Sequence, residues 1–356
     1  MSNNKSFELD GLVLEKINDF VVVATPAKQS LSVDDLTCIV EKNRNLIMEI
    51  VSTTGALLFR GFKNLNTDVF NTLALDSFDF EPNNAFNVGR MPAFIATALR
   101  KYSESLVGGD YRRYINKDTV RLGPADNSIQ GPHVEGGVSS NRCRFLVLGC
   151  EQPSDYLGET ALCDFSKVWE ELPAEVKELL QGGKNYFRYT TRRKINLLDW
   201  LILKFSPYKV VKLDSGKANL VLPPCPVTVS HPETKEVCIQ PWSFALNTND
   251  SVFRMAKEVF KSRPPEFKDH TADSLNLNWA IYDKNDEPVK WDSSIHDVLF
   301  RTIFENTYLL SWRKDDIAVV DNVRCGHWRM NGEQGDRKIV QIQADCFDAN
   351  EHALRA

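Results

Sequence analysis

Two stretches of this chain, Gly131-Pro132-His133-Val134-Glu135-Gly136-Gly137 and Asp316-Ile317-Ala318-Val319-Val320-Asp321-Asn322, decide how it is read. In extended backbone, side chains two positions apart share a face, so His133 and Glu135 can reach one ion from a strand or its end while Val134 points away. Gly136 and Gly137 then allow a turn without a side chain crowding that ion. The second stretch is a buried strand in outline, Ile317 to Val320, closed by Asp321 and Asn322. A loop, His327 and then Arg337, at the start of a further strand, follow it. A single His-x-Glu is weak evidence; its combination with a distant His and Arg is much stronger.

Working outward, Ser32 to Val51 has the pattern of an amphipathic helix, with Leu36, Ile39, Val40, Ile47, Ile50 and Val51 at helical spacing behind a capping Ser32, and Gly55 as its stop. Ala56 to Phe59 is a short apolar run expected as a buried strand, as is Phe145 to Leu148. Phe165 to Leu180 reads as one helix ended by Gly182-Gly183, and another begins at Ser294. Beyond it come Tyr308 to Trp312, a Lys314-Asp315 turn, the Ile317 strand and a last strand near Lys338 to Phe347. The stretch from about Tyr186 to Trp242 carries Pro207, Pro223, Pro224, Pro226 and Pro232 and reads as the least regular part, an insertion suited to a lid. The expected organisation is one catalytic domain over 1–356, with its core at about 43–347 and the insertion at about 186–242.

Composition narrows the class. The 356 residues are 42% hydrophobic and 26% charged, ordinary values for a folded globular protein. A formal charge of -5 argues against holding a nucleic acid through many phosphate contacts, even with the short basic runs Arg112-Arg113 and Arg192-Arg193-Lys194. Cysteines 38, 143, 150, 163, 225, 238, 325 and 346 form no CxxC pair and read as reduced thiols. The N-terminus lacks an apolar signal region, and no stretch approaches the roughly 20 apolar residues of a membrane helix, so a cytoplasmic location and no membrane partner are expected.

The chemistry follows from donor types. Two imidazoles and one carboxylate on one face of an ion form the facial triad of non-haem ferrous oxygenases, which leaves coordination positions open. A carboxylate-bearing co-substrate needs a forked, permanently charged donor, which Arg337 supplies better than a lysine would. His231, His270, His296 and His352 have no acid or second His at ligand spacing within a strand and receive no role. His296, next to Asp297 in a helical pattern, is expected on a solvated face.

With these residues in hand, the chain resembles the taurine dioxygenase and clavaminate synthase-like (TauD/TfdA-like) family of Fe(II)- and 2-oxoglutarate-dependent dioxygenases. The match runs from about Asn43 to Phe347 through Gly55-Ala56-Leu57-Leu58-Phe59-Arg60-Gly61-Phe62, His133 and Glu135, Gly158-Glu159-Thr160, Asp316 to Asn322, His327 and Arg337. The resemblance implies a distorted double-stranded β-helix, or jelly roll, mainly β with helices outside it. It also implies iron on His133, Glu135 and His327, and the distal carboxylate of 2-oxoglutarate on Arg337 and Thr160. Dioxygen would be consumed, the co-substrate decarboxylated to succinate, and a C–H bond of a bound substrate oxidised.

Two departures bear on the substrate. Relatives acting on small sulfonates often carry a second Arg four positions after the first, where this chain has Gln341, so an anion is not expected there. Many relatives have Asp where Glu135 stands; a filled acid position also excludes halogenation, for which that position is vacated. Hydroxylation, desaturation or ring closure, as in kainoid synthases, is expected on a small amino-acid-derived molecule in specialised metabolism. Arg113, Trp242, Asn247 and Gln341 are the substrate-side candidates. The competing readings are a non-enzymatic jelly-roll ligand-binding protein, and a zinc hydrolase built on the same triad.

Overall fold

The structure is a computed structural model that describes residues 9–28, 31–83, 93–107, 113–122, 129–243, 245–261, 277–289, 292–333 and 335–354. The first long helix, Val33–Thr54, begins where the sequence places it. Asp35 N–H donates to Ser32 Oγ at 3.1 Å while Ser32 N–H donates to Asp35 Oδ2 at 2.8 Å, a reciprocal cap that satisfies two of the helix's orphan donors. It ends at Gly55, whose φ of 112° an L side chain would strain to reach.

The stripe Val33, Leu36, Val40, Ile47, Ile50 and Val51 is buried against one face of an eight-stranded sheet. The strand order is Leu12–Lys16, Val21–Pro26, Ala56–Phe59, Ile317–Asp321, Asn141–Gln152, Lys338–Asp348, Thr119–Arg121 and Arg113–Tyr114. Only the Val21–Pro26 and Ala56–Phe59 pair is parallel. Alternation sorts the side chains. Leu57, Phe59, Val147, Ile317, Val319, Val340 and Ile342 face the helix, while Leu58, Leu146, Leu148, Ala318 and Val320 face the other way.

That second face packs on Leu162, Leu310 and Cys325, from a three-stranded antiparallel sheet of Thr307–Leu310, Thr160–Asp164 and Cys325–Arg329. The outer side of the small sheet, Ala161, Cys163 and Trp328, is covered by Phe300, Ile303 and Phe304 of the helix Ser293–Glu305. The layers are therefore helix, large sheet, small sheet, helix, the two-sheet sandwich of a double-stranded β-helix.

Three sequence expectations change. Phe165 to Leu180 is two helices, Phe165–Glu171 and Ala174–Leu180, because Pro173 drives Leu172 into extended backbone (φ -60°, ψ 140°). His296 is buried at 4% exposure and stacks on Trp279 (ring centroids 6.4 Å, 15° between planes), so it belongs to the core and not to a solvated face.

The segment 186–242 is regular. Lys184–Thr190 is the centre of a sheet with Ala218–Val221, Lys209–Lys212, Cys225–Pro226 and Leu277–Tyr282, next to a capped helix, Leu197–Lys204. Its prolines sit at strand ends and turns, so they punctuate the segment without unravelling it. All eight cysteines are free thiols. Among the described residues no helix is long and apolar enough to cross a membrane.

Candidate active site

His133 lies where the chain threads between two others. Its N–H and C=O both pair with His327, and it bridges to Trp242 on the opposite side. Gly131 is required for this passage, because a Cβ there would come within 2.1 Å of the Ser243 carbonyl oxygen. His133 Nδ1 lies 2.8 Å from the Gly131 carbonyl oxygen. A carbonyl only accepts, so Nδ1 carries the proton and the Nε2 lone pair is left to bind a ligand.

His327 is the centre of Cys325–Arg329 and pairs with Leu162, so its side chain enters the space between the sheets. The two imidazole rings are 4.6 Å apart at 54°. Glu135 sits at the start of a turn that Gly136 completes with φ 72°. Its Oε2 is 3.8 Å from His327 Nε2, and one ligand atom from each of His133, Glu135 and His327 falls within 4.8 Å of the others. All three residues are buried. Two imidazole nitrogens and one carboxylate oxygen, converging in a buried space, are a donor set that fits a divalent first-row metal.

Asn322 holds the acid in place. Glu135 N–H donates to Asn322 Oδ1 at 2.7 Å, and Asn322 Nδ2 donates to the Glu135 carbonyl at 3.0 Å and to the Cys143 carbonyl at 2.9 Å. The amide thus pairs with Glu135 as a neighbouring strand would. The Glu135 side chain is steadied separately, by Gln341 Nε2 donating to Oε2 at 3.3 Å. Sequence reasoning quoted Asn322 without a role; its place directly after a buried strand was the available signal.

The second stretch also anchors a different cluster. His231 and Glu233 repeat the His-x-Glu spacing, but in a turn, and meet Asp321. Here Thr234 N–H fills His231 Nδ1 at 3.1 Å, and His231 Nε2 lies 3.0 Å from Asp321 Oδ2. Arg144 Nη2 is 2.6 Å from both Asp321 Oδ2 and Glu233 Oε2, so a guanidinium occupies the place of a metal. Burial alone would raise Asp321, but Arg144 and His231 outweigh it and hold the carboxyl below its ordinary range.

Arg337 is buried beside the end of the long strand Lys338–Asp348, and its carbonyl accepts from Arg121 Nη2 at 2.6 Å. Burial, then Arg329, with a smaller push from Arg121, bring its guanidinium down to about 10. An anion beside it relieves that repulsion, as a co-substrate carboxylate would. Thr160 is opposite Arg329 in the small sheet. Trp312 Nε1 donates to Thr160 Oγ1 at 2.9 Å, which uses the hydroxyl as an acceptor and directs its own proton elsewhere.

The other substrate-side candidates diverge. The Trp242 ring is core, edge-on to Phe187 at 5.8 Å, while its main chain bridges His133. Asn247 spends both ends of its amide on the main chain of Trp279, donating at 2.7 Å and accepting at 3.0 Å. Arg113 pairs through its backbone with Arg121; its side chain lies outside the described residues, as do Arg112 and His270. Gln341 reaches a member of the triad through its side chain.

No curated protein matches the chain. Among solved structures it is similar to PvcB of Pseudomonas aeruginosa, at 13% identity over 99% of this chain and 97% of that one, with a TM-score of 0.54. A second PvcB structure, described as an Fe, alpha-ketoglutarate dependent oxygenase from an isonitrile synthetic pathway, matches at 13% identity over 99% of each chain, TM-score 0.55. A Burkholderia xenovorans protein assigned as an alpha-ketoglutarate-dependent taurine dioxygenase matches at 11% identity over 95% of this chain and 93% of that one, TM-score 0.53. At such identities the likeness is one of fold. The model of the taurine catabolism dioxygenase TauD, TfdA family matches residues 22–343, and the chain belongs to that family, the Fe(II)- and 2-oxoglutarate-dependent dioxygenases.

Proposed function

We propose that His133, Glu135 and His327 hold the iron, that Arg337 and Thr160 hold the distal carboxylate of 2-oxoglutarate, and that the substrate is a small amino-acid-derived molecule. The outcome is hydroxylation, desaturation or oxidative ring closure at one C–H bond, in specialised metabolism. The whole chain serves as one catalytic domain. The observation that carries the metal assignment is the convergence of three buried ligand atoms, from segments far apart in sequence, to within 4.8 Å. The Arg144-filled cluster is the contrasting case, where the same spacing leaves no room for an ion.

Iron with 2-oxoglutarate and dioxygen supplies the oxidation of the C–H bond, coupled to loss of carbon dioxide from the co-substrate. The chain's own residues prepare for it. Gly131 fixes the His133 tautomer, Asn322 fixes the main chain of Glu135, and Gln341 restrains its carboxylate. Arg337 offers a forked cationic donor. Thr160, already an acceptor from Trp312, is left to donate its hydroxyl proton. Burial of the triad between the two sheets excludes bulk water. Support for specialised metabolism comes from the similarity in fold to PvcB, whose own pathway makes isonitriles.

Anaerobic titration with ferrous iron and 2-oxoglutarate is expected to give a weak visible charge-transfer band that His133→Ala abolishes. Succinate release should require iron, 2-oxoglutarate and oxygen together, and a panel of amino acids and N-substituted amino acids should identify the coupled substrate. Zinc-supported hydrolysis without oxygen would overturn the proposal.

A further inference from the structure

Gln341 is 1% exposed and lies in the long strand Lys338–Asp348, on the face opposite Val340 and Ile342, which pack under the helix Val33–Thr54. Its Nε2 donates to Glu135 Oε2 at 3.3 Å. This contact decides which way round the amide stands. A carboxylate only accepts, so nitrogen must face Glu135 and oxygen must face away. Gln341 Oε1 is buried and has no hydrogen-bond partner among the described residues. A buried acceptor left in that state costs free energy and calls for a donor that the described residues do not supply.

We infer that Gln341 Oε1 is a substrate-recognition point beside the metal acid that accepts a hydrogen bond from an N–H of the substrate, an ammonium or secondary amine, and selects against an anionic group there. The inference rests on the metal assignment of Glu135 and deepens the substrate class. An arginine at this position would present donors to a carboxylate or sulfonate; the oriented amide presents the opposite polarity. Because Glu135 sets that orientation, one side chain both restrains the metal acid and reads the substrate.

The test uses the Fe(II)- and 2-oxoglutarate-loaded protein without oxygen, and pairs of probes: each common amino acid and N-methyl amino acid against the same acid with hydrogen in place of the amine. Binding is read from the perturbation of the visible band, and succinate release with oxygen is read in parallel. In the wild type, amines should bind about tenfold or more tightly than their desamino partners. Gln341→Met also loses the donor to Glu135, so it should need more Fe(II) to reach the full band and, once saturated, bring each pair to within about twofold. Gln341→Glu keeps an acceptor but loses the donor to Glu135, so it should retain the preference for amines and weaken Fe(II) binding, measured by calorimetry. Equal binding of amine and desamino partner in the wild type overturns the inference, as does a preference that survives in Gln341→Met or a panel in which no amine binds. Failure of the band to form in the wild type would instead overturn the metal assignment beneath it.

Discussion

Asn322 carries more of the site than its short side chain suggests. It is fully buried and bonds to both main-chain groups of Glu135, from 187 positions away, and to the Cys143 carbonyl. Asn322→Ala leaves those groups without partners and frees the turn that presents the carboxylate. Ferrous-ion affinity should fall about tenfold to a hundredfold. Stability should fall by about 2–3 kcal/mol, the cost of unsatisfied buried groups. Anaerobic calorimetry and urea denaturation measure the two; wild-type affinity in the variant would remove Asn322 from the metal site. The pair His133 and Glu135 was legible because residue type and period-two spacing are local signals, and His327 was legible from its place after a buried strand. The roles of Asn322 and Gln341 were not, since each is defined by a partner that only the closed sandwich brings near. His231-Pro232-Glu233 marks the limit of the local signal: the same spacing in a turn, beside Arg144, makes an ion network.

Strand pairing turns these residues into a pocket. Thr160 stands between Leu310 on one neighbour and Arg329 on the other, and Trp312 follows two residues beyond Leu310 with its indole N–H on the Thr160 hydroxyl. Trp312→Phe removes that donor with little change in shape, and lets the hydroxyl proton turn away from the carboxylate proposed to bind there. The KM for 2-oxoglutarate should rise about tenfold with a smaller change in kcat, the value of one hydrogen bond to a charged group. Unchanged steady-state kinetics would assign the contact to packing alone. Strand ends are pinned as well. Arg60 Nη2 meets the buried Asp316 at 2.6 Å, tying Ala56–Phe59 to the start of Ile317–Asp321. Arg60→Ala should cost about 3 kcal/mol in urea denaturation, because it strands a buried carboxylate. Helix Val33–Thr54 was readable end to end, since its cap, stripe and terminal glycine all lie within it. The break at Pro173 and the sheet within 186–242 were missed for one reason: proline marks a boundary without saying whether structure resumes beyond it.

At the scale of the molecule, alternation along five strands of the large sheet sorts one face to the helix and the other to the small sheet, and this layering puts the triad in the space between sheets. Ala56–Phe59, Phe145–Leu148, Ile317–Val320 and the last strand were visible as strands while Val21–Pro26 was not singled out; which strands are neighbours was not visible, because the order places Ile317–Asp321 between Ala56–Phe59 and Asn141–Gln152. The same layering buries His296 where the helix Ser293–Glu305 meets Trp279 of the second sheet, which makes global stability depend on pH. Burial lowers His296 to about 4, with Asp297 and Asp292 opposing the shift only in part. An unfolded histidine titrates near 6.5, so between these values the unfolded chain binds more protons than the folded one. Stability from this group is therefore complete above about pH 6.5 and is lost progressively as pH falls toward 4, by about 3 kcal/mol in all. Urea midpoints measured from pH 7.5 down to 4.5 should decline in the wild type and decline less steeply in His296→Gln, which lacks the titrating group although its stability at neutral pH is lower. Parallel slopes for the two proteins would mean that the acid sensitivity of the fold arises elsewhere.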